Sequence, residues 1–172
     1  MKTLFVGVSL FVVSAFANHQ KPAQKTMDGY SVTLASTQQV GTNYEWVWSV
    51  YNPDPGSGKD GISLQDLSHW NLVLPSCMTQ GDLVSAAYSL DGQTWHSLSA
   101  TIAVDPSQSC YTQPVMKFDQ GLDGAQVTYF KLVVNKPFSV GNMPAVFKSG
   151  KTLPCYIGTV QGLSCDSGEI RE

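Results

Sequence analysis

The chain has 172 residues, 42% of them hydrophobic and only 13% charged, roughly half the charged fraction of an ordinary soluble domain. Fifteen Gly, nine Pro and a formal net charge of −3 with no acidic or basic run exclude collagen, coiled coil, long basic tails and wholesale disorder. One compact domain remains, its surface finished with Ser, Thr, Gln, Asn and Gly rather than ion pairs.

At the amino terminus Lys2 precedes an apolar run from Leu4 to Val13, and Ala15-Phe16-Ala17 supplies the small-x-small pattern at which signal peptides are cut. Residues 1–17 therefore read as a signal peptide, too short for a span of about 20 apolar residues, and no later segment is long enough for a membrane span. The first cysteine, Cys77, lies far from the cut, which argues against a lipoprotein, and Asp166 to Glu172 form a polar tail without the features of a lipid-anchor signal. The expected product is secreted and extracellular. Cleavage leaves 155 residues with nine basic and thirteen acidic side chains, a net of −4. Scattered lysines and a single arginine, Arg171, speak against nucleic acid and anionic membranes as partners.

Residues 18–29 are polar, contain Pro22 and read as a flexible arm; the domain is expected over 30–165, with order beginning at Tyr30. A first strand is predicted at Tyr30–Ala35. In Asn43–Tyr51, Tyr44, Trp46, Trp48 and Val50 share one face while Glu45, Val47, Ser49 and Tyr51 share the other, the two-residue period of a strand covered on at least one side. The stretch NPDPGSGKDG at 52–61 reads as a loop. Trp70, Leu72 and Leu74 then alternate with Asn71, Val73 and Pro75 in a strand ending ahead of Cys77. Leu83–Leu90 and Gln93–Leu98 flank Asp91-Gly92, a pair suited to a type I′ hairpin. Further strands are predicted at Thr101–Val104, Val115–Phe118, Gln126–Val134, Ala145–Phe147 and Tyr156–Val160. Short strands with turn signals and no helical stripe point to an all-β fold, an antiparallel β-sandwich with Greek-key topology of immunoglobulin-like or jelly-roll-like kind; a partly open β-barrel is the alternative.

Four cysteines in an exported chain read as two disulfides, with three possible connectivities. Moderate loop lengths favour Cys77 with Cys110 and Cys155 with Cys165. No C-x-x-C pair occurs and His19, His69 and His96 lack zinc-site spacing.

The string DLSHWNLVLPSC from Asp66 to Cys77, with the aromatic strand before it, resembles a class of uncharacterised secreted microbial all-β domains in which a similar D-L-S-H segment precedes a strand and a cysteine. The stretch with Gly158, Thr159 and Cys165 is similar too, and the likeness covers most of residues 43–165. It implies secretion and an all-β fold and transfers no catalytic residue.

Asp66, Ser68 and His69 are adjacent in sequence, but successive strand residues point to opposite faces, so they cannot form a triad unaided, and no G-x-S-x-G elbow occurs. Glycoside cleavage needs two carboxyls facing a cleft; the chain's aspartates mostly sit beside turn residues, whereas Glu45 lies inside a strand and, if buried, needs a partner. Calcium is the one cofactor considered, through Asp54 with Asp60 or Asp119 with Asp123, although neither loop has EF-hand spacing. The aromatics carry the most information. Trp95, Tyr111, Tyr51 and Trp70 are the candidate binding residues, since an exposed ring stacks on the apolar face of a sugar while amides and hydroxyls hydrogen-bond its edge; for Trp46, Trp48 and Trp70 the core is the stronger reading, because Trp on a sandwich strand is more often core than platform. The expected function is a secreted, non-catalytic binding module recognising carbohydrate or a protein at a cell surface or matrix. The alternatives are an extracellular assembly protein, using its arm for strand addition, and a small secreted hydrolase.

Overall fold

The computed structural model describes residues 25–27, 30–53, 65–122, 125–150 and 155–165. They form eleven strands: β1 Lys25–Met27, β2 Tyr30–Val40, β3 Asn43–Pro53, β4 Leu67–Leu72, β5 Leu83–Ser89, β6 His96–Leu98, β7 Ile102–Ala103, β8 Val115–Phe118, β9 Ala125–Val134, β10 Ser139–Ser149 and β11 Cys155–Ser164. One 3₁₀ turn, Gln80–Asp82, precedes β5. The signal peptide, residues 18–24 of the arm, most of the 52–61 loop and the 166–172 tail lie outside the described residues.

Two antiparallel sheets face each other, one with strand order β1-β2-β3-β9-β5-β6 and the other β11-β10-β4-β8-β7. Neither closes on itself, so the barrel alternative gives way to the sandwich. The chain changes sheet at β3–β4, β4–β5, β6–β7, β8–β9 and β9–β10, the interleaved connectivity expected of a Greek-key sandwich. Order begins earlier than the sequence indicates. Lys25–Met27 pairs with Tyr30–Val32 and covers part of the β2 edge, which polar composition alone could not reveal.

The core lies between the inner faces. Leu34, Trp46, Trp48, Val50, Phe130, Leu132 and Val134 come from the larger sheet, and Trp70, Leu72, Met116, Phe118, Ala145 and Phe147 from the smaller; all are buried. At its centre the Trp70 ring stacks on Phe118 at 4.7 Å and meets Phe130 edge-on at 5.5 Å and Trp48 edge-on at 6.0 Å. Burying such a ring contributes roughly 4–6 kcal/mol before entropy is counted. Trp70 is fully buried and is thereby corrected from a binding candidate to a core residue, because β4 is a central strand from which Trp70 and Leu72 point between the sheets. The layers are also joined by a hydrogen bond, the Trp48 indole N–H donating to the Gln161 carbonyl at 2.7 Å. Gly162 permits this approach of β11, since a Cβ there would run into Met143 Sδ and lie 3.3 Å from the Trp48 ring.

Two expectations about connections are corrected. Cys77 is bonded to Cys165, which excludes both Cys77–Cys110 and Cys155–Cys165; Cys110 is disulfide-bonded as well. The favoured pairing relied on moderate loop lengths, but antiparallel packing brings the segment after β4 beside the end of β11, and proximity in space decides the bond. The β5–β6 link is not a two-residue type I′ turn either. Tyr88 pairs with His96, and a six-residue loop, Leu90–Trp95, joins the two strands. The Asp91 carboxylate organises it, accepting N–H groups of Gln93 at 2.8 Å and Thr94 at 2.7 Å and the Ser89 hydroxyl at 2.9 Å, and these bonds hold its pKa well below the carboxylate range. Within it Gly92 has a positive φ, +73°.

Candidate functional site

A groove of about 410 Å³ crosses the outer face of the larger sheet, lined by Ala35, Ser36, Gln38, Glu45, Val47, Gly92, Trp95, Tyr129 and Lys131. The two-residue period dictates most of this lining. With Trp46, Trp48 and Val50 turned inward, Glu45 and Val47 face out; with Phe130 and Leu132 inward, Tyr129 and Lys131 face out. Register supplies the neighbours, because Gln38 lies opposite Glu45 and Val47 opposite Lys131. A bulge between Leu34 and Ser36 breaks the β2 alternation, so that Ala35 and Ser36 are both exposed and both line the wall.

The groove's polar groups are already connected to one another. Lys131 Nζ lies 3.5 Å from Glu45 Oε1, the Gln38 amide donates to Glu45 Oε2 at 2.9 Å, and the same ammonium sits 4.2 Å from the centre of the Trp95 ring. Glu45 is only partly buried, and Lys131 is its ionic partner. Gly92 rests on Tyr129, where a Cβ would be 3.5 Å from the ring, so the Asp91-braced loop clamps one aromatic and presents the other. Chemically the groove offers two rings, a carboxylate, an ammonium, an amide and a hydroxyl within one concavity. Glu45 is the one carboxylate among its described lining residues.

Trp95 lines the groove. Tyr51 stands on the same outer face, 41% exposed, opposite Val127 and along the sheet from Tyr129. Tyr111 is half-buried and does not line the groove. Tyr129, Lys131 and Gln38 were not singled out from the sequence. Alternation in β9 was a usable signal for Tyr129 and Lys131, but nothing local says that β9 pairs with β3.

A second polar cluster is largely buried, with Asp105 at the wall of a surface pocket of about 220 Å³. His69 and Asn71 project from the outer face of β4, yet both are buried, because the segment carrying Asp105, Ser107 and Gln108 covers them. Asp105 Oδ2 is 2.8 Å from His69 Nε2 and accepts Asn71 Nδ2 at 3.0 Å, while Oδ1 accepts the Ser107 hydroxyl at 2.7 Å and amide at 3.0 Å. Burial alone would raise the Asp105 pKa, but the Ser107 and Asn71 hydrogen bonds outweigh it and bring it to about 2. Burial, reinforced by Lys117, lowers that of His69. Ser68 Oγ is 3.4 Å from His69 Nδ1, and Asp66 bonds Asn52 instead; the adjacent trio does not assemble. The acid that His69 meets is Asp105, which the sequence pattern does not connect to it.

Of the calcium candidates, Asp54, Asp60 and Asp123 lie outside the described residues. Asp119 is paired with Lys117 at 3.0 Å, and among the described residues no three His, Cys, Asp or Glu side chains group as cation ligands. Among them, too, no helix is long and apolar enough to cross a membrane. Comparison with protein-family models finds none that matches the chain, and comparison with curated proteins finds no significant match.

Proposed function

We propose that this protein is a secreted, non-catalytic binding module that holds a carbohydrate chain in the groove on its larger sheet. The observation that carries this reading is the joining of Trp95 and Tyr129 with Glu45, Lys131 and Gln38 in one concavity. Apolar ring faces with a few convergent polar groups are what sugar recognition requires. The disulfide and the signal-like residues 1–17 fit an oxidising, extracellular setting. A protein partner is the rival occupant of the same face.

The test is a glycan array probed with the exported protein and with Trp95→Ala and Tyr129→Ala. Each variant is expected to lose about tenfold or more in affinity with an unchanged circular dichroism spectrum; unaltered glycan binding in both overturns the site. Amino-terminal sequencing of exported material should begin at Asn18.

Assembly by strand addition is the second reading, favoured by the β2 edge: β1 pairs only with Tyr30–Val32, and the six residues beyond Leu34 are exposed. Deleting residues 18–24, which leaves β1 in place, keeps the sedimentation profile unchanged if the groove is the functional surface and alters it if the arm pairs with a neighbour's edge. A hydrolase has less support, with Glu45 paired to an ammonium and His69 buried.

A further inference from the structure

We infer that the groove selects an uncharged glycan and reads two neighbouring hydroxyls of one sugar with the Lys131–Glu45 pair. The inference rests on the groove being the carbohydrate site and specifies what that site accepts.

The side chains of Lys131 and Glu45 are 18% and 20% exposed, largely withdrawn from water yet reachable from the groove. Lys131 is held by the Glu45 carboxylate and the Trp95 ring, and Glu45 by Lys131 and the Gln38 amide. The charges therefore cancel inside the groove. An anionic sugar has to compete with Glu45 for Lys131, bringing two carboxylates together or leaving one unpaired, and either is unfavourable. A cationic ligand meets the same obstacle at Lys131. The exported chain's net charge of −4 adds a long-range repulsion of polyanions.

A neutral sugar leaves the pair intact. An ammonium has three N–H donors and a carboxylate oxygen accepts more than one hydrogen bond, so Lys131 and Glu45 retain capacity after bonding each other. They present a donor and an acceptor 3.5 Å apart. One hydroxyl accepts from Lys131 while its neighbour donates to Glu45, and the C–H face of the sugar lies against the aromatic wall. The volume of about 410 Å³ falls in the lower part of the usual range for ligand sites, roughly 300–1,000 Å³, and suits a short stretch of chain.

Affinity electrophoresis tests this with two sets of polymers: mixed-linkage β-glucan, glucomannan, galactan and dextran as neutral probes, and polygalacturonate, alginate and heparin as acidic ones. The proteins are wild type, Trp95→Ala, Glu45→Gln, and Ser36→Trp, which fills the groove from an exposed position. Retardation is expected on at least one neutral polymer and on no acidic one. It should change by less than about twofold between roughly 50 and 500 mM salt, where screening abolishes long-range charge attraction, and fall by about tenfold in all three variants. Binding confined to acidic polymers, steeply salt-dependent and lost in Trp95→Ala, overturns the neutral specificity while leaving the groove as the site. Binding unchanged in both Trp95→Ala and Ser36→Trp overturns the groove itself, and retardation by no polymer of either set overturns both.

Discussion

Removing the Cys77–Cys165 bond by a Cys77→Ala/Cys165→Ala double substitution has a calculable consequence. The two residues are 88 apart in sequence. Chain-entropy arithmetic for a closed loop of that length gives about 4.6 kcal/mol at 25 °C, a ceiling that residual structure in the unfolded chain reduces. For a domain of this size each kcal/mol moves Tm by about 2–4 °C, so a drop of roughly 10–18 °C is expected by calorimetry. Because Cys110 is separately bonded, thiol titration of the unfolded double variant should detect no free sulfhydryl. If Cys77 were instead joined to Cys110, the same variant would strand Cys110 and release thiol. One free sulfhydryl or more per molecule, or a Tm within a degree or two of wild type, refutes the connectivity and the reasoning from it.

Other perturbations probe separate parts of the molecule. Asp105→Asn leaves His69, Asn71 and Ser107 with a weaker acceptor at a buried position and should cost about 3 kcal/mol in urea denaturation; a loss below about 0.5 kcal/mol would show that this cluster does not anchor its segment. Acid sensitivity follows from the same cluster. His69 is depressed in the fold, so its contribution is present above its unfolded value of 6.5 and is lost as pH falls below it; Asp105, at about 2 when folded, adds a second loss as pH drops through its unfolded value of 3.8. His69→Gln should flatten the first limb of the stability–pH curve and leave the second. Tyr30 works at the alkaline end: burial raises its pKa to about 12, and its hydroxyl donates to the Gln65 carbonyl. Its contribution, about 2–3 kcal/mol from the shift, is present below pH 10 and is lost as pH rises from 10 to 12, and Tyr30→Phe should remove that alkaline limb. Trp70→Ala, in the aromatic core, should cost about 3–5 kcal/mol, whereas Trp95→Ala should leave stability within about 1 kcal/mol of wild type; equal losses would contradict their assignment to core and groove.

What the sequence determined by itself was set by local rules. Two-residue alternation placed Trp46, Trp48 and Val50 on one face of β3 and Glu45, Val47 and Tyr51 on the other, and it predicted strands close to β5, β8 and β9, because side chains of a pleated chain have nowhere else to point. Turn residues correctly separated those strands into a sandwich. Where a local rule met a competing local bond it misled: Asp91-Gly92 suits a tight hairpin, but the Asp91 carboxylate stabilises a wider loop by capping amides beyond it. The tertiary structure alone decided every pairing between distant residues. Cys77 meets Cys165, His69 meets Asp105, and Glu45 meets Lys131. Such contacts depend on the order and register of strands that are far apart in the chain. Burial of the whole aromatic core sets that order, and no short window of residues contains it.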